Sequence, residues 1–529
     1  MSEPKKVGRR SFLNYAIAVV ATGVIVGAAT YFAVPKGEVT VTAPGTTITT
    51  TKTVTVTGTP TTSPTTTTGL KSFEEWLKEA SKPYKGTTIR VITESSPSSV
   101  WYTGGALSRF KELTGIDVVM ELQSWDEMYR KSIMDMEQKT GVYDVVYVEQ
   151  DIAYCYYLKK YTYNLKEFWE KRPELFYPNL DLDDYTILWG FSFEPTYSKE
   201  GEYLVALPFE GDIKTWWYRK DLFEDPKEKE NFEKQYGWEL RPAKTWEEYE
   251  QIAEFFYRPD KGLYGHTAQA ATHACVGYEV VETFFPTFGV QSPSIPPFPV
   301  CNWGINLETK GAKMVNGGLV DSPQAIKALE TYIRLLKYAP PGVKSFTWSE
   351  TAEAFGSGIV VQGPFYSEFQ GYWYDPTKSK VIGKIAPTLP PVDPEYYKPT
   401  MGVGYFNPAA WGIPSCAPHP EAASLFIQYA TEQNIDIQRA REVTNQCRIS
   451  TLEKLAGSED DMKKSGYWTF MRDNFNKYLG APPLGGHLSY IEIYWKNVSR
   501  AVAGEITPEN CLKTIADQLE EKIKELGYV

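Results

Sequence analysis

The densest concentration of chemistry in this 529-residue chain is Tyr203–Phe223, YLVALPFEGDIKTWWYRKDLF. Glu210 and Asp212 flank a glycine, and Trp216 and Trp217 follow in an apolar run. Carboxylates accept hydrogen bonds from hydroxyls, and flat indole faces stack on the apolar faces of sugar rings. The pattern therefore suits holding a carbohydrate without reacting with it. Its plain alternative is a buried aromatic strand beside a solvated acidic loop. A second chemistry, glycoside hydrolysis, would use Glu210 with Asp212, or Glu149 with Asp151, as acid and nucleophile or base. Pairs two residues apart arise freely in an acidic chain, so that signal is weak. The four histidines, His266, His273, His419 and His487, form no i, i+4 pair. Neither a metal site, nor a histidine-based triad, nor any cofactor is indicated. The net charge of −11 without a Lys/Arg stripe argues against nucleic acid.

These residues need elements to position them, and the pattern is α/β. Thr88–Thr93 reads as a buried strand, Gly105–Thr114 as a helix stopped by Gly115, and Ile116–Leu122 as a second strand. Asp126 is expected to cap a long amphipathic helix that runs to about Thr140 and stops at Gly141. Val142–Val148 is a third strand. Strand–helix–strand units of this spacing give mostly parallel sheets covered by helices, with ligands beyond the carboxyl ends of strands. The segments Glu94–Trp101, Glu149–Asp151 and Phe209–Asp212 then share one rim. Thr507–Gly527 is expected to form a terminal amphipathic helix.

Gly8-Arg9-Arg10-Ser11-Phe12-Leu13 resembles a twin-arginine export motif, followed by an apolar run from Phe12 to Val34 long enough to cross a bilayer. Tyr31 and Phe32 stand where a cleavage site would lie, so an uncleaved anchor is favoured over secretion after cleavage. With no cysteine before Cys155, a lipobox anchor is excluded. Residues 38–69 are Thr- and Pro-rich and too poor in long apolar side chains to form a core, which reads as an extended, O-glycosylated stalk. Six cysteines in the exported part suggest disulfides, with Cys275–Cys301 and Cys416–Cys447 the pairs nearest in sequence. Asn497-Val-Ser499 is a glycosylation sequon for an extracellular face.

Several segments in order, among them FKELTGIDVVMELQSWDEM, GVYDVVYVEQD, LPFEGDIKTWWYRKDLF, VDSPQAIKALETYIRLLKYA, AFGSGIVVQGPFYSEF and GIPSCAPHPEAASLFIQYATEQ, resemble the landmarks of extracellular solute-binding proteins of ABC importers. The similarity runs from about residue 86 to the end and is nearest the sugar-binding branch that includes maltose-binding protein. It implies a two-lobed, type II periplasmic-binding-protein-like α/β fold, each lobe a mostly parallel sheet flanked by helices. Residues 1–37 would be the export signal or anchor and 38–69 the stalk. Residues 70–209 with 407–455 would form one lobe, and 210–406 with 456–529 the other. The implied activity is capture of a sugar, expected to be an oligosaccharide, and its delivery to ABC permease subunits by a monomer that does no chemistry. A polyamine or iron chelate in the same fold is the alternative cargo.

The resemblance also implies contact residues. Asp151 and Asp212 match acidic sugar ligands, with Glu149 beside the first. Phe365 falls where the family presents a stacking tryptophan, and Tyr366 would share that task. Trp101 follows the first strand, Trp216 the first crossing between lobes, and Trp303 lies in an insertion of roughly residues 291–306. Tyr405 and Trp411 flank the second crossing, and one of them is expected to face the cleft.

Overall fold

The computed structural model describes residues 71–194, 196–197, 202–291 and 302–527. The export, anchor and stalk expectations fall on residues 1–70, outside the described residues. No helix among the described residues is long and apolar enough to cross a membrane.

Alternation of buried and exposed side chains produces strand β1 (Thr88–Glu94), which pairs in parallel with β2 (Asp117–Gln123) from Thr88↔Asp117 to Glu94↔Gln123. The connecting helix Leu107–Thr114 stops at Gly115, whose φ of 72° favours glycine. The next helix, Trp125–Gln138, has Ser124 at its N-cap, and Asp126 falls in the first turn instead of at the cap. There its charge still complements the helix dipole. Strand β3 spans Val145–Glu149 and begins later than its apolar run. The amides of Val142 and Tyr143 donate to the Asp135 carboxylate, and Asp144 accepts from the Arg90 amide. Side chains thus take the hydrogen bonds that a longer strand would have given to the ladder.

Beyond β3 lie β4 (Ser192–Glu194), β5 (Thr196–Tyr197) and β6 (Tyr203–Leu204), which form a small separate sheet. The chain then enters β7 (Leu207–Glu210), passes Gly211-Asp212, and continues as β8 (Ile213–Arg219). The remaining strands are β9 (Gln362–Tyr366), β10 (Ile385–Thr388), β11 (Gly404–Phe406), β12 (Ala409–Gly412) and β13 (Tyr478–Leu479). One sheet has the order β2-β1-β3-β12-β7, and a second is built around β8 from β9, β10, β11 and β13. The chain therefore crosses from the first sheet to the second through β7–β8 and returns through β11–β12. An outgoing and a returning strand that lie side by side must run in opposite directions. β12 is accordingly antiparallel to β7, and β11 to β8. The α/β class expected from the sequence holds, but the second sheet is not mostly parallel, because β9, β10 and β11 all pair antiparallel with β8.

The crossings are packed from below by Phe209 stacked on Trp411, with ring centroids 4.3 Å apart. Gly211 is required by proximity: a Cβ there would lie 2.4 Å from the Gln446 carbonyl oxygen. The terminal helix Pro508–Glu525 forms as expected, with Thr507 accepting from the Asn510 amide. Two other expectations are overturned. Cys416 and Cys447 are both free, Cys447 buried beside Asp436 and Cys416 beside the Asp135 carbonyl. Cys275 is free as well, and Cys301 lies outside the described residues. Asn497 is buried in the helix His487–Ala503, its amide donating to the Ile493 carbonyl and to Gln518, so the sequon does not present an open acceptor. The crossing geometry predicts that Gly211→Ala destabilises the protein by about 2 kcal/mol, as overpacking against backbone does. Denaturant unfolding checks this, and an unchanged midpoint would show that the crossing yields easily.

Candidate ligand-binding site

Where the carboxyl ends of β1 and β3 meet the second sheet, side chains line a narrow cleft with room of about 20 Å³. Glu94 ends β1, Glu149 ends β3, and Asp151 lies in the first turn of the helix Gln150–Lys159. Glu149 accepts from the Trp125 indole at 2.7 Å and from the Tyr129 hydroxyl at 3.1 Å. The facing wall carries Tyr278, Glu282, Trp348, Tyr366 and Glu368, with Asn407 at the crossing. Asp151 joins the walls: one of its carboxylate oxygens accepts from the Tyr278 hydroxyl at 3.0 Å and lies 2.7 Å from His487 Nε2. At the rim, Asp126 and His273 meet at 2.9 Å.

The second wall is organised by a buried lysine. Lys214 of β8 lies 2.9 Å from Glu279 and 3.5 Å from Glu282, and its Nζ stands 4.5 Å from the Tyr366 ring centroid. Tyr366 donates to Glu282 at 2.7 Å. Both glutamates lie on a helical run that begins at Ala274–Tyr278 and widens to a π-helix over Glu279–Phe284. Such widened turns recur at functional sites.

Crowding acids away from water raises their proton affinity. Burial, and after it the charge of Glu210, pushes Glu94 up to about 8. Burial puts Glu282 at about 8 despite the opposing charge of Lys214. Glu149 and Glu368 are raised well above the usual carboxylate range by burial first and neighbouring carboxylates second.

Of the residues named from the sequence, Glu149, Asp151 and Tyr366 come together in this cavity. Asp212 is buried just behind it, accepting from the Ser367 hydroxyl and from the Glu368 amide at 2.9 Å, so it positions the cavity wall. Trp216 packs against Trp246 and Tyr249, while its neighbour Trp217 packs against Trp373 and Tyr467. Neither borders the cavity. Phe365 lies in the core against Phe355 and Trp373. Trp303 is buried one layer back, against His487 and Tyr278. Tyr405 is buried in β11 opposite Lys214, and Trp411 lies beneath the crossings, so neither faces the cavity. Trp101 points to an outer groove, where its indole donates to Glu442. Sequence reasoning missed Trp125, Tyr278, Glu282, Trp348, Glu368 and Asn407. One signal was present: Glu279 and Glu282 interrupt the otherwise apolar ACVGYEVVETFF.

Residues 95–433, more than half of the chain, match the family described as bacterial extracellular solute-binding protein. The chain belongs to that family. A mannitol-binding protein of Pseudomonas aeruginosa is 26% identical over 231 residues, 44% of this chain and 45% of the relative, so less than half the length of that relative is matched. Two solved solute-binding proteins share the fold. An ABC transporter solute-binding protein of Agrobacterium radiobacter K84, in complex with ribitol, superposes with a TM-score of 0.67 at 22% identity, covering 83% of this chain and all of that one. The maltose-bound MalE3 of T. maritima gives 0.64 at 16% identity, covering 82% and 99%.

Two outcomes follow for this solute-binding protein. Glu94 and Glu282 hold protons in the folded state that the unfolded chain loses near its ordinary value of 4.5. Their contribution to stability is thus fully present below that pH and is lost as pH rises through about 8. The melting temperature of the ligand-free protein should fall across this window, and E94Q/E282Q should flatten the fall in calorimetry. Asp212→Ala strands the Ser367 hydroxyl and the Glu368 amide. It should lower stability by about 1–3 kcal/mol even without ligand, and unaltered unfolding would remove Asp212 from the supporting framework.

Proposed function

We propose that this protein is the substrate-capture component of an ABC importer, closing two lobes over a sugar or polyol and handing it intact to membrane permease subunits. The observation that carries this reading is a cavity whose walls come from both sheets and which lies beside both crossings. Residues 70–209 with 407–455 would move as one lobe and 210–406 with 456–529 as the other, hinged at Gly211-Asp212 and Asn407-Pro408. Contacts made from both sides, such as Asp151 with Tyr278, belong to the closed arrangement, and a ligand that bridges the walls favours it.

Carboxylates on both walls accept from ligand hydroxyls, and Trp125 and Trp348 offer flat apolar faces. The walls nearly meet, leaving room of only about 20 Å³ between them, so the lobes must part to admit a ligand. The names of similar proteins carry mannitol, ribitol and maltose, which supports a polyol or a short sugar as the cargo. Residues 1–37 would hold the monomer at the outer face of the membrane, or be removed on secretion, and the stalk of 38–69 would keep it near its permease at high effective concentration.

A thermal-shift screen of polyols, monosaccharides and short oligosaccharides tests this. A bound ligand at a hundredfold its dissociation constant should stabilise the protein by about 2.7 kcal/mol, and chromatography should recover it unchanged. Cleaved sugar would replace the reading with a glycoside hydrolase.

A further inference from the structure

The polar lining of the cavity is lopsided. Five carboxylates border it, those of Glu94, Glu149, Asp151, Glu282 and Glu368, against a single side-chain amide, Asn407. The hydroxyls that could donate are already committed, Tyr278 to Asp151 and Tyr366 to Glu282. The Trp125 indole is committed to Glu149, which leaves the Trp348 indole and Asn407 as the remaining side-chain donors of the lining. Two buried oxygens on opposite walls accept nothing from the described residues: Asp151 Oδ1 and Glu282 Oε1. Their residues are 2% and 1% exposed, so water does not readily replace a partner. Nearby cations do not make up the difference. Lys214 is shared between Glu279 and Glu282, and His487 stands beside the other oxygen of Asp151. Glu210 and Asp212 add further acid from the crossing, and Asp126, which meets His273, adds its charge to those that raise Glu94.

Once ionised, each of these acids only accepts, which leaves half the capacity of a neutral sugar hydroxyl unused. An ammonium group only donates, three times, and carries the charge the wall lacks. The protein itself displays the required chemistry. Lys214 holds its ammonium between two carboxylates and over the face of Tyr366. Among the described residues no three His, Cys, Asp or Glu side chains are grouped to hold a metal ion, so the acids are spread along the walls and do not form a cage.

Resting on the sugar-receptor reading above, we infer that the cargo is a hydroxylated amine, an amino sugar or amino-polyol, whose ammonium group is received by Asp151 and Glu282 while its hydroxyls meet Glu94, Glu149 and Glu368. Glu94 and Glu282, both titrating near 8 in the empty cavity, supply a linked signature. A cationic ligand must expel protons from such acids, so its affinity rises as pH climbs toward that value, by roughly tenfold per unit for each proton released.

The experiment is isothermal calorimetry on the full chain with matched probes, in two buffers of different ionisation enthalpy. The pairs are D-glucitol with 1-amino-1-deoxy-D-glucitol, and D-glucose with D-glucosamine, with spermidine as an amine that lacks hydroxyls. Supporting the inference, the amine member of a pair binds at least tenfold more tightly than its hydroxyl partner, with net proton release. E282Q, or D151N where E282Q fails to fold, then brings the ratio within a pair toward one. Equal or tighter binding of the neutral member, without proton release, overturns the inference and leaves the sugar receptor standing. Spermidine alone binding overturns the hydroxylated cargo and with it the sugar reading. No binding by any probe counts against both.

Discussion

The whole arrangement depends on two strands that pass each other between sheets. The chain leaves the first sheet by β7–β8 and returns by β11–β12, and the Asn407 amide donates to the Asp212 carbonyl at 3.0 Å where the two crossings meet. That contact fixes Asn407 at the base of the cavity. The carboxylate of the same Asp212 holds Ser367 and the Glu368 amide, which sets the end of β9. β9 in turn places Tyr366 against Glu282 and Lys214. Underneath, Phe209 and Trp411 give the crossings a rigid floor. A few ångströms of backbone thus determine both walls.

Buried acids occur elsewhere in the molecule, and the contrast is instructive. Asp436 is fully enclosed, yet it accepts from the Arg439 guanidinium and from the amides of Cys447 and Arg448. Asp184, half-buried, is met by Arg448 and by the amide and hydroxyl of Ser450. Those acids hold structure together because each has a full set of donors. Around the cavity the acids lack such partners, and once ionised their acceptors outnumber the donors. An unfilled set of acceptors at a cleft is a cost to the empty protein that a ligand removes.

The fold was largely legible in the sequence because it rests on local signals. Strand alternation at Thr88–Glu94, the Gly115 stop and the Thr507 cap each act within a few residues. The candidate site was legible at the strand ends, in Glu94, Glu149 and Asp151, and at Tyr366 on the facing wall. The rest of that wall comes from Tyr278, Glu282 and Trp348, which long-range packing brings there. Trp216 and Trp217 misled for a physical reason. In a central strand covered on both faces, alternate side chains both point into core, so a tryptophan pair reports burial before it reports a ligand. Asp212 was found for its charge, yet its neighbours use that charge to fix the wall. Asn497 shows the same limit, since a sequon says nothing about whether its amide is already donated.

Trp125 and Trp348 stand on opposite sides of the cavity with ring centroids 6.1 Å apart, one on a helix packed against β1 and the other on a helix packed against β9. At that separation two indoles exchange excitation energy and couple their near-ultraviolet transitions, and the coupling fades quickly as they part. In the closure proposed above, parting of the walls would weaken this one coupling, while the tryptophan pairs within the second wall, Trp217 with Trp373 and Trp216 with Trp246, would keep theirs.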